Sequence, residues 1–460
     1  MAEIKTKKGL DIPIEGKPQG PVSRLEANGR TVKPQLISLN FDPFHECKPR
    51  LLKKAGEVVK IGEPVVEDKG CEGRLFVSPA AGAIKEVRRG LKRRLIDIVI
   101  EVSENEEIHE FTSMDVSASN RDQLISRLKE GGLFPHIRQR PFDLLADPEK
   151  TPRCIFVNAS PTTPFAPPAE MQVEGHEDDF QTGLDALAKL TDGDVHLVYP
   201  SGSECKAFTD AQNVERHTTE GPHPVGNTSV HIHFISPITH AEDAVWTLDA
   251  HSTACIGHLL RTGRYLNERV ISIAGPGVLP EQTGYFKVRT GSPVENLIAG
   301  RVQKGKMRFV SGNIYTGTKV DTDGFLGFYD YEFCVIPESV SREFLHFFRL
   351  GINKYTASRT YLSGHLDNSN REYSFTTSLH GEHRAFIIAH PYDKVMPMNI
   401  PTMHLVNAIV AEDYDLSEEY GLLEVASEDF GPATFVCPSK MEMVSIVQDG
   451  LRRFAVEALE

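Results

Sequence analysis

The chain has 460 residues, 40% hydrophobic and 25% charged, which describes about three folded domains and excludes a disordered chain. A net charge of −14 argues against a duplex nucleic-acid partner, which would need a basic face to displace counterions. No window approaches the roughly 20 apolar residues of a membrane helix, the N-terminus has no secretory core, and the seven cysteines without a C-x-x-C exclude the usual zinc-ribbon and iron–sulfur ligand sets.

Taken in chain order, residues 54–88 come first. Short apolar runs there are broken by Gly56, Gly62, Ser78-Pro79 and Gly82, the pattern of a small, tightly turned β sandwich. The order resembles the lipoyl/biotinyl carrier hammerhead, with Lys69 close to the hairpin tip that would hold a swinging cofactor. No Pro/Ala-rich swinging linker follows, so an ordinary turn lysine is expected. The basic run Arg88-Arg89-Gly90-Leu91-Lys92-Arg93-Arg94 reads as a solvated turn, with phosphate head groups or an acidic partner as alternatives. This unit is assigned to residues 1–112.

Residues 113–263 alternate β and α signals, which implies a parallel sheet with helices on its faces. Ser119 or Asn120 caps a helix with Leu124, Ile125 and Leu128 on one face, ended by Gly131-Gly132. Cys154 to Asn158 reads as a strand followed by a Pro-rich loop. Phe180, Leu184, Leu187 and Leu190 recur at helical spacing, and Val195 to Tyr199 reads as a buried strand. A longer helix is expected over residues 241–261, ending at Gly263. Residues 264–335 follow a β-turn-β-helix order that suits a small β-grasp module. Residues 336–460 read as helical, with Phe344, Leu345 and Phe348 before Gly351, and a stripe of Val444, Val447, Leu451 and Phe454 near the end.

Four segments carry candidate chemistry. Ala274-Gly275-Pro276-Gly277 follows a strand but lacks the third glycine and the helix of a dinucleotide fingerprint, so a turn between strands is expected. His231 and His233 would face the same way on a strand and fit one metal, with His223 as a third ligand. No carboxylate or cysteine stands at a helpful spacing, and hydrogen-bonded core histidines are the expectation. Cys437 is placed just before a helix N-terminus, yet no His or Asp partner is visible, so a packed cap residue is expected. Finally, the loop Gly131-Gly132-Leu133-Phe134-Pro135-His136-Ile137-Arg138 offers a stacking ring in Phe134 and charge-assisted donors in Arg138 and Arg140.

Several blocks together carry a resemblance. They are Gly9-Leu10-Asp11-Ile12-Pro13, Ser78-Pro79-Ala80-Ala81-Gly82, Gly221-Pro222-His223-Pro224, Arg269-Val270-Ile271-Ser272-Ile273-Ala274-Gly275-Pro276, Arg384-Ala385-Phe386, Val395-Met396-Pro397 and Thr434-Phe435-Val436-Cys437-Pro438. They run in order from end to end, and the chain resembles the A-subunit family of bacterial sodium-translocating NADH:quinone reductases. That resemblance implies a peripheral subunit on the cytoplasmic face of the inner membrane, with five partner subunits, ubiquinone as substrate and sodium export as the coupled work. FMN, FAD, riboflavin and iron–sulfur centres are then expected in other subunits and none in this one.

The implied architecture is a multidomain α/β chain: a lipoyl/biotinyl-like sandwich, a Rossmann-like domain similar to the flavin subunit of respiratory complex I, an SLBB-like β-grasp and a helical end. Against those flavin-binding relatives the glycine loop is short, and Ala159-Ser160-Pro161-Thr162-Thr163-Pro164 replaces an acidic segment. Fewer glycines leave less room for amides to approach a phosphate, so the redox cofactor is expected to be lost. Phe134, His136, Arg138 and Arg140 are then the expected quinone contacts or interface. A scaffold subunit without quinone binding and a flavin-dependent NADH dehydrogenase are the alternatives.

Overall fold

The structure is a computed structural model that describes residues 2–27, 30–341, 343–345, 348–368 and 370–459. A seven-stranded sheet lies at its centre. The strand order is Glu3–Lys5, Glu215–Glu220, Val195–Pro200, Cys154–Asn158, Val245–Asp249, Arg138–Arg140, Leu144–Leu145. The first five strands are parallel and the last two antiparallel. The central strands are apolar without alternation because both faces are covered. Helices Arg121–Glu130, Glu177–Ala188 and Ala250–Thr262 cover one face, around Leu128, Phe180, Leu184 and Leu259. The helix Thr228–Ile235 covers the other, together with Thr402–Val410 and Met443–Leu459 from the end of the chain, around Phe156, Val198, Val245 and Val447.

The expected sandwich is present as a four-stranded sheet and a three-stranded sheet enclosing Ile37, Val66, Phe76 and Ile98. The first strands of the chain pair elsewhere. Glu3–Lys5 joins the central sheet, and Val22–Arg24 adds to a six-stranded sheet built on Glu268–Ala274 and Gly284–Arg289. The short helix Val294–Ile298 packs on that six-stranded sheet through Val294 and Leu297.

Three expectations about elements are corrected. Residues 241–261 are not one helix: Val245–Asp249 is a strand, and the helix begins at Ala250. The run Val245-Trp246-Thr247-Leu248 is continuously apolar around one Thr, and periodicity cannot separate a buried strand from a buried helix of that length. His231 and His233 lie on the helix Thr228–Ile235, not on a strand. The segment from Ser339 to Ala389, of which 342, 346, 347 and 369 lie outside the described residues, has little regular structure among the described ones beyond the 3-10 turn Leu362–His365. There Phe344 and Phe348 are 81% and 77% exposed. An apolar stripe makes a helix only where enough of it is covered, and these two rings stay largely exposed. Further on, Val447, Leu451 and Phe454 are buried in the helix Met443–Leu459, as their spacing implies.

Candidate functional site

From the strand Cys154–Asn158 the chain runs to Val195–Pro200 on one side, and it later returns to Val245–Asp249 on the other. Strand order therefore reverses between Cys154–Asn158 and Val245–Asp249, and crevices at the carboxyl ends of such strands are where open α/β sheets bind ligands. A cavity of about 750 Å³ lies there. Asn158 ends one strand and donates from Nδ2 to the Gly226 carbonyl at 2.8 Å and to Thr228 Oγ1 at 3.1 Å. Asp249 ends the other, accepts from the Ser252 amide at 2.7 Å as the helix cap, and accepts from Tyr331 Oη at 2.9 Å.

Of the residues singled out in the glycine loop and the strand after it, three line this cavity: His136, Arg138 and Arg140. His136 Nδ1 lies 3.1 Å from Ser252 Oγ, while Nε2 is buried without a hydrogen-bond partner among the described residues. Desolvation, with Arg269 nearby, pushes its pKa down to about 3, so the ring is neutral. Arg138 and Arg140 converge on Asp143 Oδ1, at 3.3 and 3.4 Å. Burial would raise the Asp143 carboxyl, but the two guanidiniums outweigh it and hold it below the usual range. Arg140 Nη1 donates to Ser229 Oγ at 2.8 Å, and Nη2 faces Glu428 at 3.7 Å.

Phe134 does not join them. Its ring is wholly buried, edge-on to Trp246 at 5.6 Å and under the Arg74 guanidinium at 5.8 Å. The expectation that Phe134 offers a stacking face to a ligand is corrected by this packing. The two glycines before it are likewise occupied by packing. A Cβ on Gly131 would stand 2.2 Å from Leu259, and one on Gly132, whose φ is +68°, would stand 2.7 Å from Val77. They serve helix and sandwich contacts.

A second cavity of about 210 Å³ shares Asn158, Asp249, Tyr329 and Glu428 with the first. Pro161, Thr162 and Thr163 of the loop expected to replace an acidic segment form part of its wall. His251 and Glu332, residues the sequence reading did not single out, also line it. Glu332 Oε1 accepts from Thr163 Oγ1, and Oε2 has no partner among the described residues. Burial pushes this carboxyl up to about 7. His251 Nε2 faces Cys255 Sγ at 3.4 Å, its Nδ1 has no partner among the described residues, and desolvation holds its pKa well below the ordinary value. These side chains come from positions 251 and 332, far from the loop in sequence, and only the fold juxtaposes them.

The remaining candidates stand apart from the cavities or in structural roles. On their helix, His231 and His233 are about 200° apart. His231 Nε2 bonds the Val225 carbonyl at 3.0 Å, and His233 Nδ1 pairs with Glu424 at 2.6 Å. His223 stacks on Tyr315 at 5.1 Å and bonds Thr162 Oγ1 at 3.0 Å. The three do not assemble a metal site. Cys437 follows the C-terminal end of the helix Gly431–Val436 instead of preceding a helix start. It is buried, with Tyr392 Oη 3.2 Å from its sulfur. Lys69 is exposed in the turn after the strand Pro64–Asp68. Ala274-Gly275-Pro276-Gly277 is a turn in which Gly275 and Gly277 pass close to Val335.

Family models match three parts of the chain. They describe an NqrA N-terminal barrel-sandwich hybrid domain at residues 4–103, an NqrA second alpha/beta domain at 119–265 and an NQRA C-terminal domain at 270–322. The A-subunit of the Na(+)-translocating NADH-quinone reductase of Chlamydia caviae is 36% identical, over 99% of this chain and 97% of its own length. The proteins of the same name from Saccharophagus degradans and Rhodopirellula baltica are 32% and 35% identical, over 99% and 97% of this chain and 100% and 97% of their own lengths. Among solved structures, an NAD+-reducing [NiFe]-hydrogenase in the H2-reduced state aligns with a TM-score of 0.34 at 10% identity, over 52% of this chain and 53% of its own, too slight a likeness to argue from. Identity of this order along nearly the whole chain, with all three domain models in sequence order, means that the chain belongs to the A-subunit family of the Na(+)-translocating NADH-quinone reductases.

Proposed function

We propose that the chain is the peripheral subunit, on the cytoplasmic face of the inner membrane, of a six-subunit sodium-pumping complex, and that it receives the ubiquinone head group in the cavity at the strand switch point. The observation that carries this reading is His136. Its neutral ring presents an unpartnered, buried Nε2 at the wall of a 750 Å³ cavity that also holds two guanidiniums. A quinone needs an apolar slot and a few placed polar groups for its carbonyl oxygens. Leu248, Leu451 and Val456 supply the slot, and Arg138 and Arg140 supply positive charge where reduction places negative charge. The redox cofactors belong, in this reading, to other subunits. Among the described residues no helix is long and apolar enough to cross a membrane, which fits a peripheral place.

Quinone binding is testable on the isolated chain, because its single tryptophan, Trp246, lies on the strand whose Thr247 and Leu248 line the cavity. Titration with a short-chain ubiquinone is expected to quench that fluorescence saturably, and His136→Phe to weaken binding about tenfold, the worth of one hydrogen bond. A lack of saturable quenching would favour the scaffold alternative. A flavin spectrum in the purified protein would revive the dehydrogenase alternative.

A further inference from the structure

Away from both cavities, three metal-ligating side chains meet where the helices Glu177–Ala188 and Ala250–Thr262 pack together. His176 caps the first helix, Asp179 lies in its first turn, and His258 projects from the second. Each offers one ligand atom, and the three atoms lie within 4.8 Å of one another. Asp179 Oδ2 stands 3.0 Å from His176 Nδ1 and 2.9 Å from His258 Nδ1. We propose that His176, Asp179 and His258 bind a divalent transition-metal ion, with zinc the best match, leaving solvent at the remaining coordination position.

The ligand types and spacing fit. Zinc–nitrogen and zinc–oxygen bonds of about 2.0–2.2 Å at a tetrahedral angle give ligand–ligand edges of about 3.3 Å. The two Asp179–imidazole separations need to widen by only a few tenths of an ångström, and the imidazole nitrogens, within 4.8 Å of each other, would settle at the same edge. The pocket is half-buried: both imidazoles are 21% accessible and the carboxylate 8%, so an ion can enter and a water can complete its shell. The helix crossing fixes the geometry. A Cβ on Gly257 would lie 1.7 Å from the Asp179 carbonyl and one on Gly183 would lie 2.1 Å from the Thr253 carbonyl, so two glycines set the close approach of the helices.

Two features oppose a cation. One is the positive end of the Glu177–Ala188 helix, which the first-turn carboxylates Glu177, Asp178 and Asp179 offset. The other is Arg261, whose Nη1 stands 3.1 Å from Asp179 Oδ1 and 3.5 Å from Asp178 Oδ2. It takes the other carboxylate oxygen, in the outer-shell position that orients ligating carboxylates, and leaves Oδ2 to the imidazoles. The competing arrangement is a metal-free hydrogen-bond hub tying one helix to the other.

Chelator-treated full-length protein titrated with Zn²⁺, and in parallel with Co²⁺ followed by visible absorption, separates the two. The metal site predicts stoichiometric zinc uptake and a low-symmetry cobalt band. His176→Gln and His258→Gln should each weaken binding by roughly 100-fold or more, taking the outer-shell effect as the lower bound. Glutamine keeps a donor for Asp179, and an unchanged melting temperature of the metal-free variants would certify the fold. Absence of stoichiometric binding by the wild type, or equal affinity in the folded double variant, would overturn the proposal and leave the hub.

Discussion

At the scale of single residues, buried side chains in this chain divide between packing and unsatisfied polarity. Phe134 packs. Phe134→Ala should lower stability by about 3–5 kcal/mol in denaturant unfolding through the cavity it leaves against Trp246. Glu332 carries unsatisfied polarity, and the sign of its effect is definite. Its native carboxyl titrates at about 7, and an unfolded glutamate at about 4.3. Between those values the native state holds a proton that the unfolded chain has released, so this group makes stability fall as pH rises through the window. Glu332→Gln should remove that slope, and the variant should gain on the wild type by a few kcal/mol from about pH 4 to pH 8. His136 acts in the opposite direction. Its depressed pKa means the unfolded chain takes up the proton first, which costs stability as pH falls below about 6.5. Melting temperatures of wild type and Glu332→Gln across that range isolate the carboxyl; parallel curves would refute its assignment.

At the scale of elements, the helix pair under the central sheet depends on its glycines. Gly257→Ala places a methyl against the Asp179 carbonyl and should destabilise by about 1–3 kcal/mol or more, read as a lowered urea midpoint, while Glu130→Ala on an exposed helix end should not. Much at this scale was legible in the sequence. The helix start at Ser119 or Asn120, where Asn120 proves to be the cap, the strand Cys154–Asn158, and the buried stripe of Val447, Leu451 and Phe454 follow from local patterning. What local patterning could not supply was context. Val245–Asp249 became a strand because neighbours on both sides offered it a ladder, and a Val-Trp-Thr-Leu run gives no sign of that. His231 and His233 lost their shared face because Asn227 opens a helix there. Three residues of the segment singled out from Gly131 onward, His136, Arg138 and Arg140, line a cleft. The rest of that cleft, including Asn158, Asp249, Tyr329 and Glu428, was invisible because no spacing rule joins residues that far apart.

At the scale of the whole molecule, the chain braids its sheets together. The N-terminal strand completes the central sheet, the next adds to the six-stranded sheet, and the C-terminal helices roof the face opposite the Ala250–Thr262 helix. The switch-point cavity therefore lies between elements from distant parts of the sequence: Glu46, His136, Asp249, Tyr329, Glu428 and Leu451. Such a cavity exists only in the assembled fold, so a fragment without the Met443–Leu459 helix should lose it. The most direct test of the claim that this cavity receives quinone fills it from a position that carries no structural burden. Val456 lines the cavity and is 57% exposed. Titrating wild type and Val456→Phe with a short-chain ubiquinone should show saturable binding in the first and at least roughly tenfold weaker binding in the second, at equal melting temperature. Equal affinity in both proteins, or no saturable binding in the wild type, would contradict the account.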